Sequence, residues 1–224
     1  MTNQRRGQET KEAILENACK VFAEKGYRDA THAEICRCAG TNVASINYYF
    51  GSKENLYREV FDHLNRRMGT LYPLDGGLSP STPPEARLRA YIQAHLRRMF
   101  DPENLGGLHQ IRMSEMFDST GLLEKALARQ LAENRKIIQE ILREILGPHA
   151  SQRELDWCEM SVVGQCFTAL PGHGDRGPRK IFGLEAGLID ALVEHITAFS
   201  LAGIKAIYRK QKGSSEKEKK QGVM

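Results

Sequence analysis

Asn42 and Asn47 lie in a nine-residue stretch, NVASINYYF, that carries no charge and ends in three consecutive aromatics. A carboxamide pairs its two polar atoms with the edge of adenine, and small apolar groups such as Val43 and Ala44 meet the methyl of thymine. Ser45, Tyr48 and Tyr49 add hydroxyls of the kind that bond phosphate oxygens. These are residue types that read a duplex. Ile46 and Phe50, four apart on a helix, supply the anchor that holds such a reading face in place.

The elements that must position this stretch are legible around it. Ile14, Leu15, Ala18, Val21 and Phe22 fall at helical spacing. Gly26 follows where a helix stops. Thr31 with Glu34 three residues later has the pattern of a capped helix start. A turn at Ala39-Gly40-Thr41 separates that short helix from the one running to Phe50. Two short helices joined by a glycine-containing turn make a helix-turn-helix, whose second member enters the major groove. Ser52 caps a further helix to about Leu71, with Leu56, Val60, Phe61 and Leu64 as its stripe. Thr31, His32 and Lys53, at helix starts, join Ser45, Tyr48 and Tyr49 as the expected phosphate contacts.

The pattern F-x-x-x-G-Y, T-x-x-x-I, A-G, Y-Y-F and G-S-K-E-x-L-Y runs from Phe22 to Tyr57. It resembles the N-terminal domain of TetR-type transcriptional regulators. Two departures stand out: Thr41 replaces the usual aliphatic residue, loosening the turn, and Asn47 bears on which bases are read. The resemblance implies an all-α protein: a three-helix helix-turn-helix domain at 1–56, then a helical effector-binding and dimerisation domain at 57–209. Residues 1–9 read as a flexible arm and 210–224 as a disordered basic tail.

Beyond the Pro/Gly/Ser-rich stretch YPLDGGLSPSTPP the pattern is helical throughout. Helices are expected over Glu85–Phe100, Leu108–Phe117, Leu122–Leu146, Glu154–Ala169 and Leu184–Arg209, with a break at Asp101–Gly107 and a loop at Pro171–Arg179. The helix around Val162, Val163, Cys166 and Phe167 is small and apolar. The last one is apolar around much of its girth, with Leu188, Leu192, Ile196 and Phe199. Paired with symmetry mates, the two predict a four-helix dimer interface. The alternative is that both complete a monomer core. GQC together with EHITAFSLAGIKAI resembles the C-terminal domain of a subgroup of the same regulators. The family implies a small-molecule effector. Tyr91, His95 and Met99 on one helix, with His109, Arg112, Met113, Met116 and Phe117 on the next, are the candidates for its pocket. A plain Met-aromatic core is the competing reading.

The net charge is +4, with positive excess at both ends: residues 1–71 hold 11 Lys/Arg against 9 Asp/Glu, and residues 205–220 hold 7 against 2. The chain has no signal-peptide pattern and no membrane-length apolar run, which predicts a cytoplasmic protein. Its cysteines (Cys19, Cys36, Cys38, Cys158, Cys166) are irregularly spaced, as reduced thiols are. His63, His95, His109, His149, His173 and His195 form no metal-ligand spacing, and no phosphate loop or nucleophile elbow is present, so neither enzyme activity, metal nor cofactor is expected. The reading is a homodimeric, ligand-responsive repressor of a palindromic double-stranded DNA operator. A non-specific architectural DNA binder is the alternative.

Overall fold

The computed structural model describes residues 2–100, 106–167, 183 and 185–221. Its helices are α1 (Thr2–Asp29), α2 (His32–Ala39), α3 (Val43–Phe50), α4 (Lys53–Leu71), α5 (Pro84–Phe100), α6 (Gly106–Phe117), α7 (Glu124–Leu146), α8 (Gln152–Phe167) and α9 (Ile189–Gln221), with a 3-10 turn at Ala186–Leu188. No strand occurs among the described residues. Contacts divide the chain into two units: Met1–Leu71 with Asp101–Gln130, and Tyr72–Phe100 with Leu131–Met224.

In the first unit, α1 buries Ile14, Ala18, Val21 and Phe22 together with Ile35 of α2, Ile46 and Phe50 of α3, and Leu56, Val60 and Phe61 of α4. Each such side chain contributes about 1.5–3 kcal/mol by leaving water. Phe22 meets Tyr57 edge-on at 4.8 Å. The kink in α1 falls at Gly26, whose φ of 73° and ψ of 179° interrupt the helix. Gly40 ends α2 in the left-handed region (φ 63°, ψ 34°), and Thr41 N donates to Cys36 O at 3.0 Å. A side chain at that backbone would cost about 1–2 kcal/mol, so glycine sets the angle between α2 and α3. Thr41 does not loosen this turn as expected: its hydroxyl donates to Ser45 Oγ at 2.8 Å and stitches the turn to α3. α6 packs on α1 and adds Leu108 and Ile111 to the same core.

In the second unit α5 is the spine. It buries Leu88, Tyr91, Ile92, Leu96 and Phe100 and is packed by α8 and α9. α7 adds Ile138, Ile141, Leu142 and Leu146, and Arg87 holds it to α5 through Glu144 at 2.8 Å.

Several expectations need correction. Residues 2–9 are not a flexible arm but the first turns of α1, with Arg5 Nε and Glu9 Oε1 paired at 3.2 Å. The tail is helical to Gln221, continuous with α9. Lys, Glu and Gln are good helix formers, so a charged composition does not by itself oppose a helix. The division at Leu71 groups α4 and α6 with the reading head, whereas the sequence suggested a boundary at 56. Leu131, at helical spacing with the apolar residues of α7, is exposed, because the buried face of that helix begins at Ile138. The expected break at Asp101–Leu105, residues Thr168, Ala169 and Leu184, and the loop Pro171–Arg179 with His173 lie outside the described residues.

Candidate nucleic-acid interface

Ile46 and Phe50 turn inward on α3, whereas Val43, Ala44, Asn47 and Tyr48 are all exposed. Tyr48 is 82% exposed and its ring meets that of Tyr49 at 4.9 Å. Tyr48, expected to touch phosphate, therefore shares a face with the residues expected to read bases. Asn42 differs from its expected role. It is the N-cap of α3, and its Oδ1 accepts from Ser45 N at 3.0 Å and from Ser45 Oγ at 3.3 Å. With the oxygen so engaged, Asn42 keeps only its Nδ2 donor for a base, and bidentate adenine pairing would break the cap. Ser45 Oγ is held by Thr41 and Asn42 in the same way.

Thr31 Oγ1 caps α2 by accepting from Glu34 N at 3.2 Å, which leaves its hydroxyl proton to donate outward. The Glu34 carboxylate pairs with Lys25 at 2.6 Å. His32 is half-buried, with Nε2 enclosed and without a hydrogen-bond partner among the described residues. A phosphate contact there would have to come through Nδ1. Tyr49 is half-buried beside α1.

Lys53 opens α4 where expected, but it is partly committed. Its ammonium lies 4.6 Å from the centroid of the Tyr27 ring and donates to Arg28 O at 3.3 Å. Burial lowers its pKa below the usual lysine value. Next to it Glu54 accepts from Tyr27 Oη at 2.9 Å, and hydrogen bonds from Ser52, from its own backbone and from Tyr27 hold its pKa at about 2. The end of α1 and the start of α4 are thus fixed to each other at the edge of the reading head.

The residues expected to line an effector pocket fall in both units. Tyr91, His95 and Met99 share a face of α5 in the second. Tyr91 is buried with its ring 4.6 Å from that of His95, and Met99 packs on the core. His109, Arg112 and Met113 are half-buried in the first unit. Arg112 donates to Asn65 Oδ1 at 2.8 Å and to Gln130. Burial, with help from the Arg112 charge, depresses the His109 pKa to about 4. Met116 and Phe117 are 66% and 80% exposed. α6 turns Leu108, Ile111 and Glu115 inward, which points its last residues outward.

Among the residues expected at a dimer interface, Val162, Cys166 and Ile196 are instead core of the second unit, and Val163 and Leu192 pack against that core. Phe167, Leu188 and Phe199 are exposed. The outward face of α8 carries residues not singled out from the sequence. Trp157 and Met160 are 59% and 66% exposed and lie in line with Gly164 and Phe167. Their spacing, 157-160-164-167, is the three-four alternation of a helix seam, a signal that was legible. An open groove of about 640 Å³ beside this face is lined by Leu131, Met160, Val163 and Phe167 and rimmed by Arg135 and Glu159.

Residues 14–60 match the family model "Bacterial regulatory proteins, tetR family", and residues 84–204 match "HTH-type transcriptional dual regulator CecR, C-terminal domain". The chain is 46% identical over 52 residues to the HTH-type transcriptional dual regulator CecR of Shigella flexneri, covering 23% of this chain and 23% of that protein. It is 37% identical over 59 residues to the biofilm operon icaADBC HTH-type negative transcriptional regulator IcaR of Staphylococcus aureus, covering 25% of this chain and 32% of that protein. The match thus spans less than a third of either curated relative. A TetR-like transcriptional regulator from Rhodococcus sp. RHA1 superposes with a TM-score of 0.61 at 15% identity, over 87% of this chain and 95% of that one, a likeness of fold. With its reading head matched by one model and more than half its length by the other, the chain belongs to the TetR family of transcriptional regulators, in the group with the CecR-type C-terminal domain.

Proposed function

We propose that this protein is a homodimeric repressor that binds a palindromic DNA operator and releases it when a small molecule binds its helical half. The observation that carries the reading is the exposed, uncharged face of α3, where Val43, Ala44, Asn47 and Tyr48 stand together on a helix anchored from behind by Ile46 and Phe50. Asn47 is the adenine-reading residue, with Val43 and Ala44 for thymine methyls. Thr31, Tyr49 and Lys53 serve the phosphates, and Ser45, whose proton goes to Asn42, joins them only by giving up that bond. Repression is favoured by the relative named a negative regulator; the other is named a dual regulator. A protein whose partner is the chromosomal duplex works in the cytoplasm.

One α3 touches too few base pairs to select a site, so function favours a dimer with reading helices about 34–36 Å apart. The apolar line Trp157–Met160–Gly164–Phe167 with Phe199 supports α8 and α9 as the interface. The α5 face with Tyr91, His95 and Met99 supports an effector with an apolar body and a polar group. An effector favouring the DNA-incompetent spacing by about 3 kcal/mol weakens operator binding roughly a hundredfold. Selection of duplexes from a random library, followed by footprinting, tests the reading. Enriched inverted repeats with half-sites about one helical turn apart are expected, and enrichment of single, unpaired half-sites would overturn the dimer.

A further inference from the structure

The first turns of α1 have no part in the apolar core, which begins at Ile14. They are nevertheless seated. A Cβ built on Gly7 would come within 3.3 Å of the Tyr49 hydroxyl, so the tip of that side chain, reaching out from α3, meets the α1 backbone at this point. One turn on, Lys11 lies 5.3 Å from the centroid of the Phe50 ring and pairs with Glu59 of α4 at 3.2 Å. Glycine inside a helix costs about 1 kcal/mol relative to alanine, and the close approach to Tyr49 accounts for it here. The chain of contacts continues outward, because the Tyr49 ring meets that of Tyr48, an exposed side chain of the reading face.

This seating holds in place the stretch of α1 that carries two cations. Arg5 and Arg6 immediately precede Gly7 and are exposed. Arg5 is partnered by Glu9 on its own helix, whereas Arg6 has no ion pair among the described residues. A guanidinium held on a preformed helix loses less freedom on meeting a phosphate than one on a disordered arm. We propose that the first two turns of α1 form a second DNA-contacting element, in which Arg5 and Arg6 bind backbone phosphates flanking the base pairs read by α3. Glu9 acts as an intramolecular competitor for Arg5. The element adds affinity without adding base preference. The inference rests on the operator-binding reading above and extends its footprint.

The test uses the full chain and a duplex selected from a random library by the unmodified protein. The double variant Arg5→Gln/Arg6→Gln should reduce the slope of log affinity against log salt by about 1.8, and lower affinity at 0.1 M salt by about eightfold per contact. Preference for the selected duplex over a scrambled one should be unchanged. Glu9→Gln, which frees Arg5, should strengthen binding to both duplexes. An unchanged slope in the double variant with duplex preference intact overturns the inference alone. Failure of the unmodified chain to enrich any duplex overturns the reading beneath it. A change in base preference with an unchanged slope would also overturn the phosphate role.

Discussion

Replacing Asn47 with alanine removes an exposed carboxamide from the reading face and nothing from the core, so its effect belongs to recognition alone. Asn47→Ala should weaken operator binding by about 1–3 kcal/mol and leave random-sequence binding nearly unchanged in a competition titration. Asn42→Ala should act differently. It removes the cap of α3 and should lower folding stability by about 1 kcal/mol in denaturant unfolding. Before the structure the two asparagines looked alike, since the same amide serves a helix cap and a base edge and only the backbone direction separates them. Lys53→Gln should weaken binding to all sequences alike and reduce the salt slope by about one. His109 gives a pH signature. Its pKa falls from 6.5 to about 4 on folding, so the unfolded chain binds the extra proton in that window. Stability should therefore rise as pH increases from 4 to 6.5, and His109→Gln should flatten that part of the curve.

At the scale of elements, α6 is latched to α4 by a buried carboxylate. Glu115 is 4% exposed; its Oε1 accepts from Tyr57 Oη at 2.9 Å and Thr120 Oγ1 at 2.7 Å, and its Oε2 from Thr120 N at 3.1 Å. Burial, with the nearby carboxylate second, pushes the Tyr57 phenol well above its usual pKa, keeping it a donor. Arg28 and Asp118 add a pair at 3.1 Å between α1 and the end of α6. Glu115→Ala strands three donors and should cost about 3 kcal/mol or more in thermal unfolding, and a double-mutant cycle with Tyr57→Phe should show coupling of about 0.5–3 kcal/mol. Additive effects would mean the latch does not act as a unit. The helices themselves were legible because Ile14–Phe22 and Leu56–Leu64 repeat at helical spacing. The latch was not, because Tyr57 and Glu115 lie far apart in sequence and either could have been a surface residue. The helical start and end of the chain were also hidden, since the periodicity that betrays a packed helix is absent where no core is buried.

At the scale of the whole molecule, selective binding requires two reading heads. Trp157→Asp, at one end of an exposed apolar line, should convert the proposed dimer to monomer by sedimentation without unfolding it, because Trp157 is not core. Operator affinity should then fall by at least about a hundredfold, the usual worth of holding two sites together. The outward face of α8 was only half legible, because apolar residues on α8 and α9 could serve either the core or the proposed partner. Val162, Cys166 and Ile196 went inward, while Trp157 and Met160 stayed outside. The central claim is that the molecule selects a DNA sequence. It is tested most directly by titrating the purified protein against the DNA upstream of its own coding region and a scrambled duplex at two salt concentrations. A sequence-selective regulator should bind the upstream fragment tightly, with a wide affinity gap between the two duplexes that persists as salt rises. Equal affinity for both, lost together at the higher salt, would contradict it and point to a backbone binder.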